Sequence, residues 1–441
     1  MTERRCGESC MYVSPSFVPS SAIARTEMIA FTDNRSPQLQ DKGGGRESVG
    51  GMGRMWMVSW LQWLTVLLGL LPLGSCGGQW TLHKTLLALV TATLSLVLTC
   101  VFLIVYVPPL MLQNIFDVPL FFMVCSGGYH LFTHSIPVVI IIVLWVKGRR
   151  LSTLLQSLKN LTQLKDCKMK PLPYLFKVSI IILLVVQEVL TRTSWYRGLW
   201  DTQFTFAYCS IPYALFCMPL VVSFSMILYV TAGHILQRVL SHNNDILKSL
   251  LSRHTMLDES YMSPMQRIRK TRQQYIELRQ IHQDLSDILS LPMFLANMEK
   301  FLWSIVLAAF LIVYPKNFTK FEYYLSVTVF STYVAAIYVQ GYVADVLREE
   351  GGAPLHIVPR TDLAETNERV KAQLETEVEK ILQISERPLN TQPCGLFLLS
   401  RTNILAMAST FVTNMVILLQ FLLADESFHQ GNVNLTMAGT N

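Results

Sequence analysis

Residues 404–423 read ILAMASTFVTNMVILLQFLL, and this stretch decides how the rest of the chain is read. At roughly twenty residues it can cross the hydrocarbon of a bilayer as a helix. Placed at 100° intervals, Thr402, Ser409, Thr413 and Gln420 form one edge of a polar arc, and Asn403, Thr410, Asn414 and Phe421 form its other edge. The opposite side carries Ile404, Ala408, Phe411, Val412, Met415, Leu418, Leu419 and Leu422. Uncompensated polar groups in hydrocarbon are costly, so the arc must meet protein or water. Two readings are open: the polar groups bond to neighbouring helices, or the helix lines a pore.

The chain outside this stretch is also that of a membrane protein. It has 441 residues, 51% hydrophobic and only 15% charged, richer in apolar residues and poorer in charge than soluble domains. The expected fold is all-α and polytopic. Six more apolar spans precede the last, placed at about 82–107, 119–146, 173–191, 204–232, 294–314 and 322–345, with the seventh at 402–424. Pro137, Pro212 and Pro219 fall inside spans, where neighbouring helices satisfy the freed carbonyls. The expected organisation is a disordered, cytoplasmic N-terminal tail over 1–53, a seven-span domain over 54–424 and an extracellular tail over 425–441. An upstream start codon is an alternative account of the first segment, because Met52 or Met55 would begin a chain of more usual proportions.

Orientation follows from charge. The connections after the second, fourth and sixth spans carry most of the basic residues, among them Arg149, Arg150, Lys165, Arg253, Arg272, Arg279, Arg369 and Lys380. The first connection and the C-terminal tail carry none. Basic loops stay in the cytoplasm, which puts the N-terminus inside and the C-terminus outside. A heptahelical G-protein-coupled receptor has the opposite orientation, and neither an Asp-Arg-Tyr triplet after the third span nor an Asn-Pro-x-x-Tyr in the last is present. The net charge of +6 is spread over loops and forms no compact nucleic-acid-binding domain.

Trp56, Trp60 and Trp63 share a helical face in the apolar run 56–73, as in a helix lying near the membrane surface. A signal peptide starting at Met52 is the competing reading. Amphipathic periodicity continues beyond the spans. Leu247, Leu250 and Leu251, then Tyr275, Leu278, Ile281, Leu285 and Ile288, recur at three- and four-residue spacing, and Leu363, Val370, Leu374, Val378 and Ile381 repeat the pattern. These helices are expected to run below the membrane and to need partners; solvated, marginal helices are the alternative.

The order Thr413, Asn414, five hydrophobic residues from Met415 to Leu419, Gln420, Phe421 resembles the last-helix signature of the arthropod gustatory receptors: Thr, Tyr, five hydrophobics, Gln, Phe. Asn414 departs from it, standing where Tyr is usual. The run Leu67-Leu68-Gly69-Leu70-Leu71-Pro72-Leu73 resembles the Leu-Gly-Leu-Pro-Leu stretch that precedes the first span in that family. The resemblance implies a tastant-gated, non-selective cation channel of inverted seven-span topology, four subunits around one pore, held by a cytoplasmic anchor and needing no G protein. It implies a plasma membrane of sensory neurons, and partners that are a small-molecule tastant, the lipid bilayer and other gustatory receptors in a homo- or hetero-tetramer. Pore and gate positions are then Thr413, Asn414, Val416, Ile417, Leu418, Gln420 and Phe421. Met415 follows Asn414, where the sugar-receptor branch carries Glu, which argues against common sweet sugars.

Gln187, Glu188, Trp195, Tyr208, Tyr213, Tyr314 and Tyr324 sit near outer span ends and are candidate ligand contacts, although Trp and Tyr gather at membrane interfaces without any ligand. Glu188 is expected near the outer edge in contact with water. Glu299 with Lys300, and Asp345 with Arg348, are expected as interface-level charges. Asn317 and Asn434 begin Asn-x-Thr triplets on the outer side and are glycosylation candidates. His130 and His134 lie four apart, but no third ligand accompanies them and no metal is expected. The nine Cys show no paired spacing. No cofactor motif, nucleophile elbow or paired intraspan carboxylates occur, so no enzyme activity is expected. Alternatives to the taste channel are an odorant-receptor-like or non-binding subunit and, from another class, a secondary transporter.

Overall fold

The structure, a computed structural model, describes residues 50–68, 70, 90, 93–94, 97, 100–101, 120–162, 171–195, 216–251, 263–313, 320–358 and 368–403, and single positions between 406 and 420. Every described residue belongs to one compact unit. The described residues are helical apart from short connections. In chain order the helices are α1 (Gly50–Leu67), α2 (Leu120–Val146), α3 (Gly148–Thr162), α4 (Pro171–Trp195), α5 (Met218–Leu251), α6 (Pro264–Val313), α7 (Lys320–Gly352), α8 (Pro354–Ile357) and α9 (Glu368–Ser385). A last helix follows, seen at residues 401–403 and at positions as far as Gln420.

Apolar length set most of these elements. Among the described residues, Pro173–Thr191, Met218–Leu251 and Tyr323–Gly352 are each long and apolar enough to cross a membrane. The 50-residue α6 joins the amphipathic run from Tyr275 to the span expected at 294–314 without a break. At 1.5 Å per residue such a helix is about 75 Å long, far more than a bilayer's hydrocarbon. One end of α6 therefore stands outside the membrane.

The periodic apolar positions of that outside part find their partners within the chain. Ile268, Tyr275, Leu278, Ile281, Leu285 and Ile288 of α6 are buried, as are Leu247 and Leu251 of α5 and Leu374, Val378 and Ile381 of α9. They belong to one continuous core. This answers the question the periodicity left open: the helices are neither solvated nor dependent on another subunit for these faces. Glu377 of α9 adds ion pairs to Arg272 of α6 at 3.0 Å and to Lys380 at 3.1 Å. Asn244 of α5 donates to the backbone oxygen of Glu350 at 3.0 Å and to its carboxylate at 2.9 Å, while Tyr275 donates to Asn244 Oδ1.

α1 joins the same core through Val58 and Leu61, both fully buried, with Trp63 exposed on the other side. It packs against α3, whose Leu151, Leu154, Leu155 and Leu158 line the opposing face.

Two glycines mark close crossings. A Cβ on Gly233 would collide with Val343 Cγ1 and stand 3.4 Å from Leu347 Cδ1, both side-chain atoms. At Gly341 of α7 it would stand 2.9 Å from the carbonyl carbon of Ser400 and 3.1 Å from Arg401 N, both backbone. Gly341→Ala is therefore expected to destabilise the protein by about 1–3 kcal/mol through overpacking. Gly128→Ala, which meets nothing within 4 Å, should be neutral or stabilising by up to ~1 kcal/mol through helix propensity. Thermal unfolding of the two purified variants checks the contrast.

Candidate functional site

Glu188 lies on the side of α4 that faces α6 and α7, and only 2% of it is exposed. Its Oε1 accepts from Lys300 Nζ of α6 and from the Tyr333 hydroxyl of α7, the latter at 2.6 Å. Lys300 Nζ also pairs with Glu299 Oε2 at 2.8 Å and lies 5.4 Å from the centre of the Tyr333 ring. Lys300 and Glu299 are each 1% exposed. These values correct the expectation of a water-exposed Glu188 and of interface-level charges at Glu299 and Lys300. The physical reason is pairing: a buried carboxylate is tolerated where an ammonium and a phenol supply its hydrogen bonds.

The group is surrounded by a compact apolar cluster of Leu184, Trp303, Leu307, Val329, Tyr333 and Ala336. One turn away, Asn297 of α6 and Gln340 of α7 exchange side-chain hydrogen bonds at 3.3 and 3.4 Å. Two carboxylates share one lysine. Glu188 Oε2 and Gln187 Oε1 are buried and accept no hydrogen bond among the described residues. A molecule bringing O–H or N–H donors would satisfy both.

The sequence-derived ligand candidates are thus only partly brought together. Gln187 and Glu188 are at this group, whereas Tyr324 is exposed at the start of α7, edge-on to Tyr323. Tyr208, Tyr213 and Tyr314 lie outside the described residues, as does the side chain of Trp195. Asn317, Asn434 and the side chains of His130 and His134 also lie outside them, and the described residues contain no cluster able to hold a metal. Sequence reading missed Tyr333 and Trp303. The signal that could have found the pairing was the opposite charge of Glu188 and Lys300 within two apolar spans.

A second arrangement joins α7 to the last helix. Asp345, 4% exposed, accepts from the backbone N–H of Arg401 and from its Nε, both at 2.9 Å, and from Arg348 at 2.9 Å. Arg401 also reaches Glu349 at 3.3 Å. Asp345, expected as an interface-level charge, receives the first backbone N–H of the last helix, where a carboxylate is favoured. With the Gly341–Ser400 approach, this clamps the head of the last helix to α7.

Along the last helix every described position from Ala406 to Gln420 is exposed in the single chain. That includes Thr413, Asn414, Val416, Ile417 and Gln420; Leu418 and Phe421 lie outside the described residues. Thr410 and Thr413 hydroxyls donate to the carbonyls one turn back, Ala406 at 2.9 Å and Ser409 at 3.0 Å. Polar and apolar positions alike lack cover from the rest of the chain.

The described residues thus form an all-helical bundle with a buried polar group between α4, α6 and α7 and a last helix whose described positions from Ala406 to Gln420 are exposed. Residues 61–425 match the family described as 7tm Chemosensory receptor, and the chain belongs to that family. Its fold is that of the insect olfactory receptor OR5 from Machilis hrabei. The structure of that receptor in complex with eugenol matches with a TM-score of 0.55 at 12% identity, covering 83% of this chain and 99% of the other. A second structure of the same receptor matches with a TM-score of 0.53 at 14% identity and the same coverage. No curated protein sequence matches the chain. Membership in a receptor family sets aside the transporter alternative.

Proposed function

We propose that the protein is a gustatory receptor acting as a tastant-gated, non-selective cation channel, with the last helix of each of four subunits lining a central pore. The observation that carries this reading is the last helix itself: its described positions, polar and apolar, are all uncovered in one chain. Neighbouring copies would cover Val412, Val416 and Ile417, and water would meet Thr413, Asn414 and Gln420. The motif of Thr413, Gln420 and Phe421 supports taste over odour, and apolar rings formed by Val416, Ile417 and Leu418 can close a pore by dewetting. The N-terminus is cytoplasmic and the C-terminus extracellular, in the plasma membrane of sensory neurons, with Asn317 and Asn434 available for glycosylation.

The ligand is a small organic molecule carrying hydrogen-bond donors, received at Gln187 and Glu188, with Trp195, Tyr208, Tyr213, Tyr314 and Tyr324 as further contacts towards the outer side. Differential affinity for one arrangement of α4, α6 and α7 is what shifts the channel between states. Any displacement of α7 is passed through Asp345 and Arg401 to the head of the last helix.

Whole-cell currents in cells expressing this chain alone, tested with sugars, bitter compounds and amino acids, check the reading. A ligand-evoked cation current is expected, with altered selectivity in Gln420→Ala. Glu188→Gln is expected to raise the half-maximal ligand concentration roughly ten-fold or more, since a hydrogen bond to a charged group contributes about 1.5–3 kcal/mol. Asn414, where the signature has Tyr, favours a second reading: an odorant-like or non-binding subunit, indicated if surface-expressed protein gives current only with a co-expressed partner.

A further inference from the structure

A second set of charges lies where α4 enters and α5 leaves its span, and ligand recognition makes no use of it. Lys177 of α4, Arg238 of α5 and Arg401 at the head of the last helix belong to one neighbourhood around α7. Lys177 Nζ is 4.8 Å from the centre of the Tyr342 ring, and the Arg401 guanidinium carbon is 5.6 Å from the same centre. Arg238 is close enough for its charge to act on Lys177. Arg401 is engaged by Asp345 and Glu349. Lys177 and Arg238 have no carboxylate partner among the described residues, and Arg238 Nε is buried without a hydrogen-bond partner.

These cations lie near the same end of their spans. Lys177 falls just inside the start of the span at 173–191, and Arg238 just beyond the end of that at 204–232. Tyr342 comes just before the end of 322–345, and Arg401 just before 402–424. On either side, Leu175 and Phe176 of α4 and Tyr338 of α7 are exposed. Two half-buried like charges repel one another, and a buried N–H without an acceptor is unfavourable. An anion with several acceptor oxygens relieves both. Guanidinium and ammonium groups together suit a phosphate, and basic pockets between spans at the headgroup level bind phospholipids.

We propose that Lys177 and Arg238 form a binding site for the phosphate of an inner-leaflet lipid headgroup at the junction of α4, α5 and α7, with the acyl chains along Leu175 and Phe176. Only the choice of leaflet rests on the orientation proposed above. Because Arg401 shares the Tyr342 ring with Lys177, the occupant sits beside the clamp that holds the head of the last helix. Lipid composition then biases the same element that the ligand moves.

The test uses full-length protein in phosphatidylcholine nanodiscs, with and without 5 mol% phosphatidylinositol phosphate, and reads the unfolding temperature. A ligand that binds only the folded state raises it. The expected result is a rise of several degrees with the anionic lipid. That rise is lost in Lys177→Gln and Arg238→Gln, kept in Lys177→Arg, and kept in Arg150→Gln, an exposed cation away from the cluster. Should Arg238→Gln not fold, Lys177→Gln and Lys177→Arg carry the comparison. A rise given equally by soluble inositol phosphate in neutral nanodiscs, and lost in the same variants, would support the phosphate site and assign its source to the cytosol. The proposal is overturned by no rise with either probe, or by an equal rise in Lys177→Gln and the wild type. None of these readouts needs a current, so failure here and failure of the channel reading are distinguishable.

Discussion

Lys300→Met is expected to abolish the folded receptor: the monodisperse peak on fluorescence-detected size exclusion and the surface signal should both be lost. The substitution removes the ammonium that Glu188 and Glu299 share and leaves two carboxylates at 1–2% exposure. Breaking a buried pair by removing one partner costs about 3–5 kcal/mol, a large part of a total stability of about 5–15 kcal/mol. Neutralising the carboxylates in the same chain, as Lys300→Met with Glu188→Gln and Glu299→Gln, should recover much of the loss, because no uncompensated charge is then buried. A wild-type elution profile for Lys300→Met alone would show that the ammonium does not hold the three helices together.

The second large effect is a loss of stability in acid that His282 controls. His282 of α6 is 4% exposed, and its Nε2 lies 3.3 Å from Thr391 Oγ1, which also accepts from the Tyr229 hydroxyl at 3.0 Å. With Nε2 unprotonated, the neutral imidazole closes this chain of hydroxyls as an acceptor, a role that protonation removes. Burial first, and the charge of Arg279 second, push the His282 pKa from 6.5 down to about 4. Between those values the unfolded chain binds a proton that the folded chain refuses, so folding stability rises with pH in this window. The contribution is fully present above about pH 6.5 and is lost as pH falls towards 4, on the order of 3 kcal/mol in total. His282→Gln keeps a hydrogen-bonding group and cannot titrate. Unfolding temperatures between pH 7.5 and 4.5 should therefore fall less steeply for the variant, and parallel curves would assign the acid sensitivity to other groups.

Both effects come from contacts that join distant parts of the sequence, and this is where sequence reading reached its limit. The amphipathic faces of α6 and α9 were visible as three- and four-residue spacing, and the core they form confirms the spacing residue by residue at Tyr275, Leu278, Ile281, Leu374 and Val378. Glu188 stood out because an ionisable residue inside an apolar span is unusual. Its environment was misplaced, because α6 continues unbroken through Pro292, just before the expected start of its span, and buries Lys300 among the helices. Lys300 therefore looked like a residue at the start of a span. The connection between α9 and the last helix carried no periodicity at all, yet Thr391 and Ser400 within it meet α5, α6 and α7.

The sequence by itself determined that the chain is helical, that its apolar lengths suit a membrane, that helices continue beyond the spans, and that its last helix carries a chemoreceptor motif. Each of these depends on one segment at a time, through its length, its period and the order of its residues. Only the tertiary structure decided that Lys300 meets Glu188 and Tyr333, that Asp345 holds Arg401, and that Lys177 and Arg238 have no carboxylate partner among the described residues. Those outcomes depend on the depth and rotation of whole helices against one another. Rotation and depth are fixed by the sum of all packing contacts, which no single segment contains.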